Sequence, residues 1–139
     1  MPPQFRLQRE LTIEMEDDIV SVRQEVRELA QEYGFEPFAV AALTTAASEL
    51  SRNVWTHAKR GVAKIQLLRE KDRIGVELIF EDQGPGIADL ERALAGGYST
   101  VKSLGLGLSG SKRLVDEFDI DTAVGRGTKV TVRKWKRKF

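Results

Sequence analysis

Apolar residues recur along this chain with two periods, and the switches between them mark out its elements. Over residues 5–15, Leu7, Leu11, Ile13 and Met15 alternate with polar neighbours, the period of a half-buried strand. From Ile19 the step lengthens to three and four. Ile19, Val22, Val26, Leu29 and Tyr33 make one apolar helix stripe, with Glu16, Asp17 and Asp18 where a helix N-terminus favours negative charge and Gly34 as its stop. Pro37, suited to a first turn, opens a second helix from Phe38 to about His57. Its run AVAALTTAASEL is dominated by small side chains, which predicts a helix buried on most sides or lying close to another surface. After Gly61 the period returns to that of strands. Residues 62–68 (VAKIQLL) and 74–80 (IGVELIF) flank the charged turn Glu70-Lys71-Asp72 and predict an antiparallel hairpin. Leu106, Leu108, Leu114, Val115 and Phe118 predict a helix of about three turns. Residues 118–124 and 128–135 then predict a second strand pair about Gly125-Arg126-Gly127.

The order β-α-α-β-β-loop-α-β-β, with strands paired as hairpins and helices in blocks, predicts an α+β fold rather than an alternating one: a two-layer α/β sandwich with a mixed, mostly antiparallel sheet and helices on one face. At 139 residues, residues 1–139 are expected to form a single domain. Lys and Arg number 22 and Asp and Glu 21, so global charge gives no reason to expect nucleic acid or a membrane surface as partner. The basic tail KWKRKF reads as a solvated strand end. With no cysteine, disulfides and thiolate metal sites are excluded. No apolar run reaches the ~20 residues of a membrane span, and the opening MPPQFRLQRE lacks the apolar core of a signal peptide. The expected location is cytoplasmic.

The candidate chemistry begins with glycine. Seven of the twelve glycines (Gly84, Gly86, Gly96, Gly97, Gly105, Gly107 and Gly110) fall between residues 82 and 110. Such density marks backbone that turns sharply or approaches a ligand closely. GLGLSG at 105–110 satisfies the dinucleotide pattern G-x-G-x-x-G, but it follows a loop-like segment and no βαβ unit surrounds it. The P-loop pattern fails because Lys112 comes one place late and is followed by Arg113. A protein-kinase glycine loop fails because the chain is short and has no HRD or DFG. Elsewhere, Glu49 and Asn53 are four residues apart on the second helix, so a carboxylate and an amide project from one face that Ala42, Thr45 and Ala46 leave free of bulk. Alone, the pair would read as an ordinary polar helix face, and Asp82 in Asp-Gln-Gly-Pro as a turn residue.

Taken in order, Glu49-x-x-x-Asn53 on a helix, Asp82-Gln83-Gly84-Pro85-Gly86-Ile87 after a strand, Gly105-Leu106-Gly107-Leu108 opening a helix and Gly127-Thr128 starting a late strand resemble the Bergerat (GHKL) ATP-binding fold of gyrase, histidine kinases and MutL. No phosphoacceptor-histidine region accompanies them; the single His57 lies beyond the acid–asparagine pair. SELSRN, GYSTVKSLGLGLSGSKRLVDEFDI and GRGTKV look like the RsbT-type switch serine/threonine kinases of the stressosome. The resemblance covers most of the chain. It implies ATP and Mg²⁺ as cofactors, STAS-domain proteins as substrates and a PP2C-type phosphatase regulator as a downstream partner. It assigns Asp82 to the adenine amine, with Thr128 in support, and Gly84, Gly86 and Ile87 to the base-binding turn. Gly105, Leu106, Gly107 and Leu108 form a phosphate-facing helix start, where amides and helix dipole favour anions. Residues 95–103 form a lid from which Ser99, Thr100 and Lys102 contact phosphate. Asn53 supplies a hard oxygen to Mg²⁺, which takes few protein ligands beside phosphates and water. Glu49 is the base that orients the attacking hydroxyl. An anti-sigma factor kinase and a nucleotide-gated interaction module are the alternative readings.

Overall fold

The computed structural model of the protein describes residues 4–86 and 108–136, with side chains from residue 8 onward. The elements run β1 (Gln4–Ile13), α1 (Asp17–Glu32), α2 (Pro37–Asn53), a π-helical turn (Val54–Ala58), β2 (Gly61–Glu70), β3 (Arg73–Asp82), α3 (Leu108–Leu114), β4 (Glu117–Ala123) and β5 (Gly127–Lys136). The five strands form one sheet in the order β1-β2-β3-β5-β4, and each neighbouring pair is antiparallel. The α+β order and both hairpins expected from the sequence are present.

Alternation decides which face of the sheet is buried. Ile13, Ala63, Ile65, Leu67, Val76, Leu78, Phe80, Val130 and Val132 all point to the side on which the helices pack. Val22, Val26 and Leu29 from α1, Leu43, Ala47 and Leu50 from α2 and Leu108 from α3 complete the core. Each large aliphatic side chain so buried contributes about 1.5–3 kcal/mol. The small residues of α2 let its wide face sink in: nine of its seventeen residues are buried, including Ala39, Ala42, Ala46 and Ala47. Glu36 caps the helix by accepting a hydrogen bond from the Ala39 amide at 2.9 Å. Gly34, at φ +78°, ends α1, and the Phe35 amide reaches back to the Ala30 carbonyl at 3.0 Å.

Three expectations need correcting. The first strand stops at Ile13, two residues early, because the Asp18 carboxylate accepts hydrogen bonds from the Glu14 and Met15 amides at 3.0 and 2.9 Å and turns the chain into α1. Met15 is left 58% exposed. The third helix is described as seven residues that end at Leu114, and Val115 and Phe118 instead pack from the connection and from β4. Nor is the basic tail a solvated strand end where it is described. Lys134 Nζ donates to the Leu114 carbonyl at 3.1 Å, and Lys136 Nζ donates to the Tyr33 carbonyl at 3.1 Å. Two helix C-termini, where the dipole favours a cation, are thus capped from the last strand. Between these lysines Trp135 lies on the opposite face, across Gly75, with the Arg73 guanidinium 3.8 Å from its ring centroid.

Candidate functional site

The candidate site lies at one end of the sheet. There the strand register aligns Ile13, Gly61, Asp82, Thr128 and Thr122 in a row across β1, β2, β3, β5 and β4, on the helix-bearing face. Asp82 ends β3 directly opposite Thr128, the second residue of β5. Directly paired residues of antiparallel strands hold their Cβ atoms about 4.5–5.5 Å apart. The sequence-predicted carboxylate and hydroxyl, 46 positions apart, are therefore neighbours.

Asp82 is half-buried, and burial pushes its carboxyl above the ordinary value of 3.8; the Gly84 and Thr128 backbone amides and His57 pull the other way without cancelling it. The Gly84 amide donates to Asp82 Oδ1 at 2.8 Å, closing a tight local turn. A carboxylate held this way offers its remaining lone pairs to a donor outside the turn.

The glycines of this region answer first to neighbouring parts of the chain. A Cβ on Gly84 would stand 2.7 Å from Ala58 Cβ. One on Gly86, at φ +78°, would meet the Ala123 carbonyl oxygen at 2.1 Å, and one on Gly127, at φ +96°, the Asp82 carbonyl oxygen at 2.1 Å. The Gly125 amide donates to the Pro85 carbonyl at 2.8 Å. The turn after β3 and the turn between β4 and β5 are thus locked together, and this fixes Asp82 relative to Thr128.

Glu49 and Asn53 fall on one face near the end of α2, Glu49 exposed and Asn53 half-buried. The conformation of the chain just beyond them was not legible in the sequence. The helix passes into a π-helical turn, a widening frequent at functional sites, and stops at Lys59 with φ 67°. This turn sets Ala58 against Gly84 and brings His57 close enough to lower the Asp82 pKa. Gly61 allows the approach, because a Cβ there would meet Val54 Cγ1 and the Glu81 carbonyl, both at 2.5 Å. The chain that carries Glu49 and Asn53 is thereby anchored to the turn that carries Asp82.

Leu108 opens the described part of α3 with its side chain 2% exposed in the core, so any ligand contact there falls to its backbone. Ile87, Ser99, Thr100, Lys102, Gly105, Leu106 and Gly107, and the lid at 95–103, lie outside the described residues. Arg52 is exposed, with Glu16 at 4.0 Å. Sequence reasoning missed Thr122. Its hydroxyl lies 2.8 Å from that of Thr128 and 3.2 Å from the Gly127 carbonyl. Centring the last hairpin on Gly125 would have found it, since that register sets residue 122 opposite residue 128.

Among the described residues no group of three or more His, Cys, Asp or Glu is placed to hold a metal. Among the described residues a cation bound mainly by protein carboxylates has no cage. The single amide oxygen of Asn53, beside the exposed Glu49, fits an ion that keeps most of its ligands as phosphate and water.

Comparison with known proteins identifies the family and the fold. Residues 13–134 match the family of histidine kinase-like ATPase domains, and the chain belongs to that family. Over 120 residues, 86% of this chain and 90% of the relative, it is 43% identical to serine/threonine-protein kinase RsbT of Bacillus subtilis (strain 168). Within the family it groups with the RsbT-type serine/threonine-protein kinases. It is also 30% identical over 102 residues to an anti-sigma F factor of Caldanaerobacter subterraneus subsp. tengcongensis, covering 69% of this chain and 70% of that one. Two solved structures share the fold. The RsbU and RsbW domains of a Mycobacterium tuberculosis protein match with a TM-score of 0.63 at 21% identity, over 95% of this chain and 33% of that one. The catalytic domain of histidine kinase ThkA matches with a TM-score of 0.50 at 14% identity, over 93% and 95%.

Proposed function

We propose that this protein uses ATP and Mg²⁺ to phosphorylate serine or threonine on STAS-domain partners in a stress-signalling partner switch, and that once released it activates a PP2C-type phosphatase. The observation that carries this is the 43% identity to RsbT over nearly the whole of both chains. The Asp82–Thr128 pair, anchored through the π-helical turn to the helix bearing Glu49 and Asn53, supports it. In this reading Asp82 accepts from the adenine amine and Thr128 supports it. Gly84, Gly86 and Ile87 bound the base, and Gly105, Leu106, Gly107 and the Leu108 backbone face the phosphates. Ser99, Thr100 and Lys102 contact phosphate from the lid. Asn53 ligates Mg²⁺. Glu49 accepts the proton of the attacking hydroxyl, in a reaction where positioning and charge stabilisation supply most of the rate.

The 30% identity to an anti-sigma F factor favours one second reading, a kinase that also sequesters a sigma factor. Transfer from labelled ATP to purified STAS-domain proteins, run beside pull-downs on sigma factors and on a PP2C-type phosphatase, separates the two. Label on a STAS protein together with phosphatase binding supports the switch kinase. Sigma-factor capture without phosphatase binding overturns it, and no transfer to any candidate removes both in favour of a nucleotide-gated interaction module.

A further inference from the structure

Among the described residues Phe38 is the large apolar side chain most open to water, at 81% exposure. It stands in the first turn of α2, turned away from the core that its neighbours Ala39 and Val40 enter. Single exposed apolar side chains are common and need no explanation; place is what distinguishes this one. Eleven residues of helix separate Phe38 from Glu49. That span turns the helix to within about 20° of its starting direction and advances it by about 16 Å. Both residues are exposed, and so are Ala41 and Thr45 between them. One solvent-facing stripe of α2 thus runs from the ring to the carboxylate with no other charge on it. Ala41 also lines a groove of about 290 Å³ between α1 and α2, with Phe35, Pro37, Val40 and Thr44 and with Arg27 from α1. Arg27 is exposed and pairs with no carboxylate among the described residues.

We propose that Phe38 and the Arg27 groove form the docking surface for the protein substrate, resting on the reading of Glu49 as the base for that partner's hydroxyl. A standard interface covers about 800 Å² on each partner, a disc of about 16 Å radius. A folded protein that brings its hydroxyl to Glu49 therefore lies over α2 as far as Phe38. Such interfaces draw most of their energy from a few aromatic or arginine anchors that become buried on binding. The partner that fits carries an apolar recess about 16 Å from its acceptor hydroxyl, with a carboxylate beside it for Arg27. A phosphatase that only binds has no need to reach Glu49, so the same geometry does not place it here.

The test is steady-state transfer from ATP to purified STAS-domain proteins by wild type, Phe38→Ala, Phe38→Leu and Arg27→Glu. Because Phe38 lies outside the core, Phe38→Ala should unfold within about 3 °C of wild type. Its KM for the protein substrate should rise about tenfold or more. Its kcat and its KM for ATP should stay within about twofold, the pattern of lost binding rather than lost chemistry. Phe38→Leu should recover most of the affinity. Arg27→Glu should raise the same KM, more at low salt than at high. A protein-substrate KM that Phe38→Ala leaves unchanged overturns the docking surface while sparing the kinase reading. A loss confined to capture of a PP2C-type phosphatase, or to self-association in sedimentation, does the same, because it gives the face to another occupant. No transfer by wild type to any STAS-domain protein overturns both.

Discussion

Asp82 and Thr128 stand directly opposite each other on β3 and β5, and burial raises the pKa of the Asp82 carboxyl there above 3.8. A raised pKa means that the native state holds this proton more tightly than the unfolded chain does. The stability contribution is therefore complete below pH 3.8 and is lost as pH rises through the folded value. Binding runs the other way if the carboxylate accepts from a base amine, since it must then be ionised. Adenosine, free of phosphates that titrate themselves, should bind more weakly on acidification at pH values already above 3.8. Asp82→Asn should lose most adenosine binding at every pH and flatten the acid-side stability profile. Carboxyl-carbon NMR titration with calorimetry checks both; an ordinary Asp82 pKa with pH-independent binding would remove the acceptor role.

Gly127 and Gly86 are equally tight points between the two turns that frame this pair. A methyl group on Gly127 meets the Asp82 carbonyl oxygen at 2.1 Å and also requires φ +96° of an L-residue. Gly127→Ala should cost about 3 kcal/mol in urea unfolding, clash and strain together. Gly125 has φ +80° and nothing within 4 Å of its would-be Cβ, and asparagine tolerates that backbone. Gly125→Asn should cost under about 1 kcal/mol. Equal losses would show that backbone conformation, not contact with the Asp82 turn, sets the requirement.

On the face away from the helices, Glu77 is 2% exposed and accepts a hydrogen bond from Arg133 Nε at 2.6 Å. A second carboxylate, Glu117, approaches Arg133 Nη1 at 3.5 Å. Removing one partner of a buried pair leaves the other uncompensated, so Arg133→Met should destabilise by about 3–5 kcal/mol. Adding Glu77→Gln to that variant should recover much of the loss. Thermal unfolding of the single and double variants gives the coupling, and strict additivity would mean that the pair carries no net interaction.

Periodicity revealed most of this fold but little of what joins its parts. Ile19, Val22, Val26 and Leu29 announced α1 and its buried face because local spacing and burial coincide there. Met15 continued the alternation yet lies outside β1, since a side-chain cap from Asp18 outweighed the pattern. Lys134 and Lys136 looked like solvent-facing charges. Their role depends on where the ends of α1 and α3 arrive, which only the tertiary fold decides. The chemistry-bearing residues Glu49, Asp82 and Thr128 stood out by type and order, and the resemblance put Asp82 and Thr128 on one base edge, but only the strand register shows them directly opposite each other. The sequence did not show the π-helical turn, because a one-residue widening leaves the helical pattern of side chains almost unchanged.

Glu49 and Asn53 share a face of α2, and the proposed chemistry gives them separable duties. A general base acts only when the attacking hydroxyl must give up its proton. Glu49→Gln keeps the shape, removes the basicity, and should lower transfer by about 10²–10⁴-fold while leaving the ATP dissociation constant within about twofold. An amide ligand acts on the ion, so Asn53→Ala should remove most of the Mg²⁺ dependence of ATP affinity and lower transfer as a consequence. The discriminating measurement is an ATP titration with and without Mg²⁺ on both variants, beside single-turnover transfer to a STAS-domain protein. Lost ATP affinity in Glu49→Gln would make that residue part of the binding surface rather than the base. Unchanged Mg²⁺ dependence in Asn53→Ala would place the ion's protein ligand elsewhere.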